Sequence, residues 1–85
     1  MRVAIPRPLR SYTPSCDQVS AVGATVGELL ANLDREFPGI RFRVVDEQDR
    51  IRVHIRIFVN GELANLNTPV TDKDHVQILC ALSGG

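Results

Sequence analysis

The stretch from Thr25 to Gly39 has the one clear helical period in the sequence, and it governs what the rest of the chain must supply. Thr25 offers a hydroxyl to the first turn. Glu28 follows three residues later, where its carboxylate can reach back in a capping box. Val26, Leu29, Leu30, Leu33 and Phe37 then recur at helical spacing and make a single apolar stripe. Pro38 cannot continue the helix, and Gly39 is free to take the left-handed turn that ends it. One amphipathic helix cannot bury its own stripe. It needs a flat apolar face as cover.

On both sides of the helix the period changes to two. Val3 and Ile5 alternate with charged or small neighbours, so residues 2–6 read as a short strand, stopped by Pro6 and Pro8. Residues 17–22 carry Val19 and Ala21 on one face and read as its antiparallel partner, with residues 11–15 as the connecting loop. After the helix, Phe42 and Val44 alternate with Arg41 and Arg43, which predicts a strand. Beyond a polar turn at residues 46–49, Ile51, Val53, Ile55, Ile57 and Val59 alternate with Arg50, Arg52, His54, Arg56 and Phe58, which predicts a longer one. Asn60-Gly61 is a tight-turn signal, because both residues tolerate positive φ. A looser stretch through Asn65, Asn67, Thr68 and Pro69 leads to a turn at Asp72-Lys73-Asp74. A final strand runs from His75 to about Ala81, with Val76 and Ile78 facing in. The predicted fold class is α+β: a roll of four or five strands wrapped on one main helix.

At 85 residues the chain has room for one core. Hydrophobic residues at 44% and charged residues at 24% are ordinary globular composition, unlike a disordered chain. Ten basic residues balance ten acidic ones, which argues against a dedicated nucleic-acid binder. Apolar runs fall far short of the ~20 residues of a membrane span, so no membrane partner is expected. The N-terminal segment meets Arg2, Pro6, Arg7 and Pro8 before any signal-length apolar run, so the expected location is the cytoplasm. Cys16 and Cys80 are too few for a disulfide scaffold and lack metal-ligand spacing. The simplest reading is two free thiols, Cys80 as a small packed hydrophobe.

The residues carry no enzyme constellation. His54 and His75 have no Cys or Asp at ligand spacing, so no metal site is expected, and Gly23 and Gly27 lack the rest of a phosphate-loop fingerprint. Arg41, Arg43, Arg50, Arg52, His54 and Arg56 make a basic stripe without interleaved aromatics apart from Phe58, which reads first as a solvated face. If the alternation after Asp49 runs unbroken, Phe58 shares the outer face with Arg52 and Arg56, with Leu79 and Ala81 beside it. An aromatic among arginines near the chain's end is the composition of a partner-docking anchor.

The end of the sequence is the unusual part. A strand runs directly into Leu82-Ser83-Gly84-Gly85. Two bare glycines put the α-carboxylate on the narrowest possible chain, and four extended residues reach at most ~14 Å, enough to enter a partner's cleft. The expected organisation is a domain over residues 1–82 and a flexible tail over 83–85.

At these residues the chain resembles a family. The GATVGELLANL helix opening, the FPGI break, the IRIFVNGE strand-turn and the DKDHVQILCALSGG ending look like the β-grasp (ubiquitin-like) sulfur carrier proteins, relatives of the small subunit of molybdopterin synthase and of the thiamin sulfur carrier. The longer hairpin RFRVVDEQDRIRVHIRIFVNGE is most similar to the branch that supplies sulfur for cysteine biosynthesis and for some sulfur-containing natural products. The CALSGG ending departs from the proline and small apolar residues common in that branch, as does lysine at position 73 from the common glycine. The resemblance implies a protein co-substrate and not an enzyme. An adenylyltransferase like the ubiquitin-activating enzymes uses ATP to adenylate the Gly85 carboxylate, sulfur displaces AMP, and the thiocarboxylate donates sulfur to an accepting enzyme. Gly84, Ser83, Leu82 and Ala81 are the segment a partner would grip. In the cysteine branch the acceptor is a PLP-dependent synthase and a metalloprotease releases the product, so PLP and zinc would belong to partners. The alternatives are a ubiquitin-like modifier joined to target lysines, or a non-covalent interaction module.

Overall fold

The structure, a computed structural model, describes residues 1–81. Helix α1 spans Val26–Glu36, and its start is set by reciprocal capping. The Glu28 amide donates to Thr25 Oγ1 at 3.2 Å, and the Ala24 amide donates to Glu28 Oε1 at 3.0 Å, one residue earlier than in a standard capping box. Val26, Leu29, Leu30 and Leu33 are all buried, and Phe37 packs half-buried at the C-terminal end. Burying each such side chain favours folding by about 1.5–3 kcal/mol.

The cover for that stripe is a five-stranded mixed sheet. Its strands are β1 (Arg2–Ala4), β2 (Gln18–Ser20), β3 (Ile55–Val59), β4 (Glu62–Leu63) and β5 (His75–Cys80), in spatial order β2-β1-β5-β3-β4. β1 pairs antiparallel with β2 and parallel with β5, while β3 pairs antiparallel with both β4 and β5. Period two decides the faces. Val3, Ile55, Ile57, Val59, Val76 and Ile78 point to the helix and are buried. The link from β1 to β2 contains, ahead of the expected loop at residues 11–15, a 3-10 turn at Arg7–Leu9 that adds Leu9 to the core. Asn60 (φ 51°) and Gly61 (φ 86°) make the tight turn between β3 and β4.

Two expected strands take another form. Residues 41–44, predicted to alternate as a strand, lie in a second short helix, α2 (Ile40–Val44). Gly39 at φ 98° turns the chain, and Asp34 Oδ1 accepts from the amides of Gly39 and Arg41 at 3.0 and 3.1 Å. Ile40 and Val44, one helical turn apart, enter the core, while Phe42 stays exposed. The predicted strand from Ile51 to Val59 survives only from Ile55. Ile51 makes one isolated bridge to Val45, and residues 52–54 turn, with the Ile55 amide bonded to the Arg52 carbonyl at 2.9 Å.

Candidate functional site

β5 is the strand that delivers the chain to its end, and it lies in the middle of the sheet. Pairing with β1 reaches Ala4↔Gln77, and pairing with β3 carries on to Ile55↔Cys80. One further backbone bond follows: the Ala81 amide donates to the His54 carbonyl at 2.7 Å. The root of the tail is therefore fixed up to Ala81 by ladder bonds on a central strand. The predicted tail residues Leu82, Ser83, Gly84 and Gly85 lie outside the described residues.

The outer face of the same strands carries Phe58. In β3 it alternates outward with Arg56, while Ile55, Ile57 and Val59 go in. Arg56 stands directly opposite Leu79, and Phe58 stands between Gln77 of β5 and Leu63 of β4. Phe58 is half-buried, Leu79 is 40% exposed and Leu63 is 67% exposed, so the three make an apolar strip edged by Arg56. Leu63 is absent from the sequence reading. The two-residue Asn60-Gly61 turn fixes the register that places it opposite Phe58, and that signal was present in the sequence.

Two residues expected on this face lie elsewhere. Arg52 belongs to the turn before β3: its Nε donates to the Phe42 carbonyl at 2.8 Å, and its guanidinium lies 4.7 Å from the Phe42 ring centroid. Ala81 lies beyond the end of β5, bonded to His54, and not beside Phe58. Cys80 and Cys16 are free thiols. Burial pushes the Cys80 thiol up, and the positive charge of Arg43 opposes this only in part, so the group rests as a thiol at neutral pH. Among the described residues no three His, Cys, Asp or Glu side chains converge as a metal site, and no helix is long and apolar enough to cross a membrane.

Comparison with known proteins agrees with this arrangement. The profile of the ThiS family matches residues 3–85. The sulfur carrier protein CysO of Mycobacterium tuberculosis is 36% identical over 89 residues, covering 98% of this chain and 96% of that protein. Its crystal structure superposes with a TM-score of 0.90 at 33% identity over 95% of this chain and 98% of that one. A chain in the crystal structure of the Amycolatopsis orientalis BexX/CysO complex gives a TM-score of 0.91 at 35% identity over 99% and 98% of the two chains. SAMP1 from Haloferax volcanii gives 0.82 at 27% identity over 100% and 98%. With its mixed sheet wrapped on one main helix and its match from Val3 through the final diglycine, the chain is a β-grasp protein that belongs to the ThiS family.

Proposed function

We propose that this protein is a sulfur carrier whose reactive group is the Gly85 carboxylate. One observation carries the reading: a ThiS-family match that runs through Gly84-Gly85, directly after a central strand fixed up to Ala81. A carboxylate is a poor electrophile until one oxygen becomes a leaving group. A partner adenylyltransferase of the ubiquitin-activating type supplies that step: the Gly85 oxygen attacks the α-phosphorus of ATP and pyrophosphate leaves. A sulfur nucleophile then displaces AMP and leaves a thiocarboxylate, a soft nucleophile ready for transfer to a biosynthetic acceptor. The chain contributes the group that is activated and the surface that presents it, and its partners contribute the catalysis. The similarity to CysO supports cysteine, or another sulfur-containing metabolite, as the product. In the cysteine branch that the sequence resembles, the acceptor is a PLP-dependent synthase and a zinc metalloprotease releases the product. ATP, PLP and zinc are then the partners' ligands.

The likeness to SAMP1 favours a second reading, a modifier conjugated to lysines. The chain contains one lysine, Lys73, so building chains on itself would have that side chain and the N-terminus as its only amine acceptors.

Deleting Gly85 tests the carrier reading. The carboxylate moves back by at most ~3.6 Å, and reacting atoms must approach within ~3–3.5 Å. ATP–pyrophosphate exchange with the cognate activating enzyme is expected to fall by about 100-fold or more, with thermal stability unchanged. Exchange as fast as wild type makes the diglycine incidental.

A further inference from the structure

Around the root of the tail, continuing from the Arg56 edge of the Phe58 face, stand basic and exposed apolar groups. Phe42 is 55% exposed and Val53 is 89% exposed, although apolar side chains of this size are usually drawn inside. Arg52 lies over the Phe42 ring, and Arg56 Nη1 donates to the carbonyls of Val53 and Ile55 at 2.8 and 2.9 Å. Arg43 stands close enough for its charge to act on Cys80. All of this borders the segment whose His54 carbonyl holds the Ala81 amide.

These guanidiniums make no close ion pair among the described residues, although Arg52 stands near enough to Asp46 to help the backbone hydrogen bond from Arg50 hold that carboxyl below its ordinary value. Among the described residues the one ion pair is Arg41–Asp49 at 2.9 Å, which leaves Arg43, Arg52 and Arg56 without a carboxylate in contact. The nearby Asp46 is turned into its own loop, where Oδ1 accepts from the amides of Gln48 and Arg50. The opposite end of β5 differs: Arg2, Asp72, Lys73, Asp74 and His75 line one groove in which the two signs are mixed. The whole chain is neutral, so any basic excess beside the tail root is local. The stems of Arg52 and Arg56 are also held in place before any partner arrives, which lowers the entropy lost on binding.

We propose that this collar, Arg43, Arg52 and Arg56 around Phe42 and Val53, docks against an acidic protein surface bordering the cleft that receives the tail. The occupant follows from charge complementarity and position: arginines at the tail root with no carboxylate in contact among the described residues meet whatever surrounds the cleft when the tail enters. Such an arrangement orients the encounter and speeds association, by ~10- to 10³-fold in steered complexes, an effect that salt removes. The inference rests on the carrier reading for the identity of the partner.

The test is ATP–pyrophosphate exchange with the activating enzyme from the same organism, titrating the carrier at low and at physiological salt. For wild type, the half-saturating carrier concentration rises with salt. Arg43→Glu, whose side chain makes no hydrogen bond among the described residues, and Arg52→Gln/Arg56→Gln raise it about tenfold at low salt. Both flatten the salt dependence and keep the maximal rate, while Lys73→Glu at the far end changes neither. Thermal unfolding run in parallel confirms that each variant is folded. Equal half-saturation for the folded variants and wild type overturns the collar alone. A loss of apparent affinity for ATP instead of for the carrier also overturns it, because the arginines would then face nucleotide. No exchange from wild type removes the carrier reading and the collar's partner with it.

Discussion

At its start β5 is clasped by side chains, and at its end, among the described residues, it is held by backbone bonds. At the start, the Asn60 side chain donates to Asp74 Oδ1 at 2.9 Å and accepts from the His75 amide at 2.9 Å. Asp74 Oδ2 accepts from the Thr71 amide at 2.8 Å, and the Asn60 amide closes the set on the His75 carbonyl at 2.8 Å. At the end, the last bond among the described residues is Ala81 to His54, and arginines and exposed apolar groups lie nearby. The first end spends its polar groups on internal bonds and balances its charges. The second leaves cations and apolar surface unsatisfied. The difference separates stability from recognition along a single strand, so substitutions at one end should leave the other end's property untouched.

Asn60→Ala gives the largest effect that would break this comparison. It removes two hydrogen bonds and the residue that best tolerates φ 51°, for an expected loss of about 2 kcal/mol in urea unfolding. Activation by the partner stays at the wild-type level under folding conditions. A folded Asn60→Ala protein that exchanges pyrophosphate poorly would show that the clasp also serves recognition.

Phe58→Asp sharpens the other side. Phe58 is half-buried on the outer face beside Leu63, so the fold is expected to persist. Losing an aromatic anchor weakens binding to the activating enzyme about tenfold, or ~1.4 kcal/mol, measured by titration calorimetry. Loss of the cooperative unfolding transition instead would place Phe58 in the core.

The smallest effect is in pH. Hydrogen bonds from the Asn60 side chain, then from the Thr71 amide, hold the Asp74 carboxyl below its ordinary value. A depressed folded-state value adds stability above the ordinary carboxylate range, and this is lost as pH falls through the lowered value. Urea midpoints taken at neutral and at acid pH should fall less for Asp74→Asn than for wild type. Equal falls would mean that the clasp does not depend on ionised Asp74.

The sequence readings succeeded where one local signal had no competitor. Helix α1 follows from Thr25, Glu28 and the Leu29–Leu30–Leu33 stripe, and the β3–β4 turn follows from Asn60-Gly61. The strand read over residues 41–44 failed because two periods share Val44: Phe42 and Val44 fit a strand, whereas Ile40 and Val44 fit a helix. The arbiter is the Asp34 carboxylate, which holds the amides of Gly39 and Arg41 and is visible only once α1 has formed. Residues 51–54 failed for a related reason. The alternation is genuine, but Arg52 and Arg56 bond to the carbonyls of Phe42 and Val53 and support a turn, so the strand begins at Ile55. The collar grew out of these two departures; the sequence read its arginines first as a solvated basic stripe and placed Arg52 and Arg56 with Phe58 on a docking face, without Phe42 or Val53. The diglycine was legible as a motif, and the ladder that fixes its approach was not.

The central claim is that sulfur is carried on the Gly85 carboxylate. Its most direct test is intact and C-terminal-peptide mass spectrometry after incubation with the activating enzyme, ATP and sulfide. The account predicts that the C-terminal peptide of wild type exchanges one oxygen for one sulfur, and that the Gly85 deletion does not. An unchanged wild-type mass would contradict it, as would a whole sulfur added at Cys80 or Cys16 with no oxygen lost.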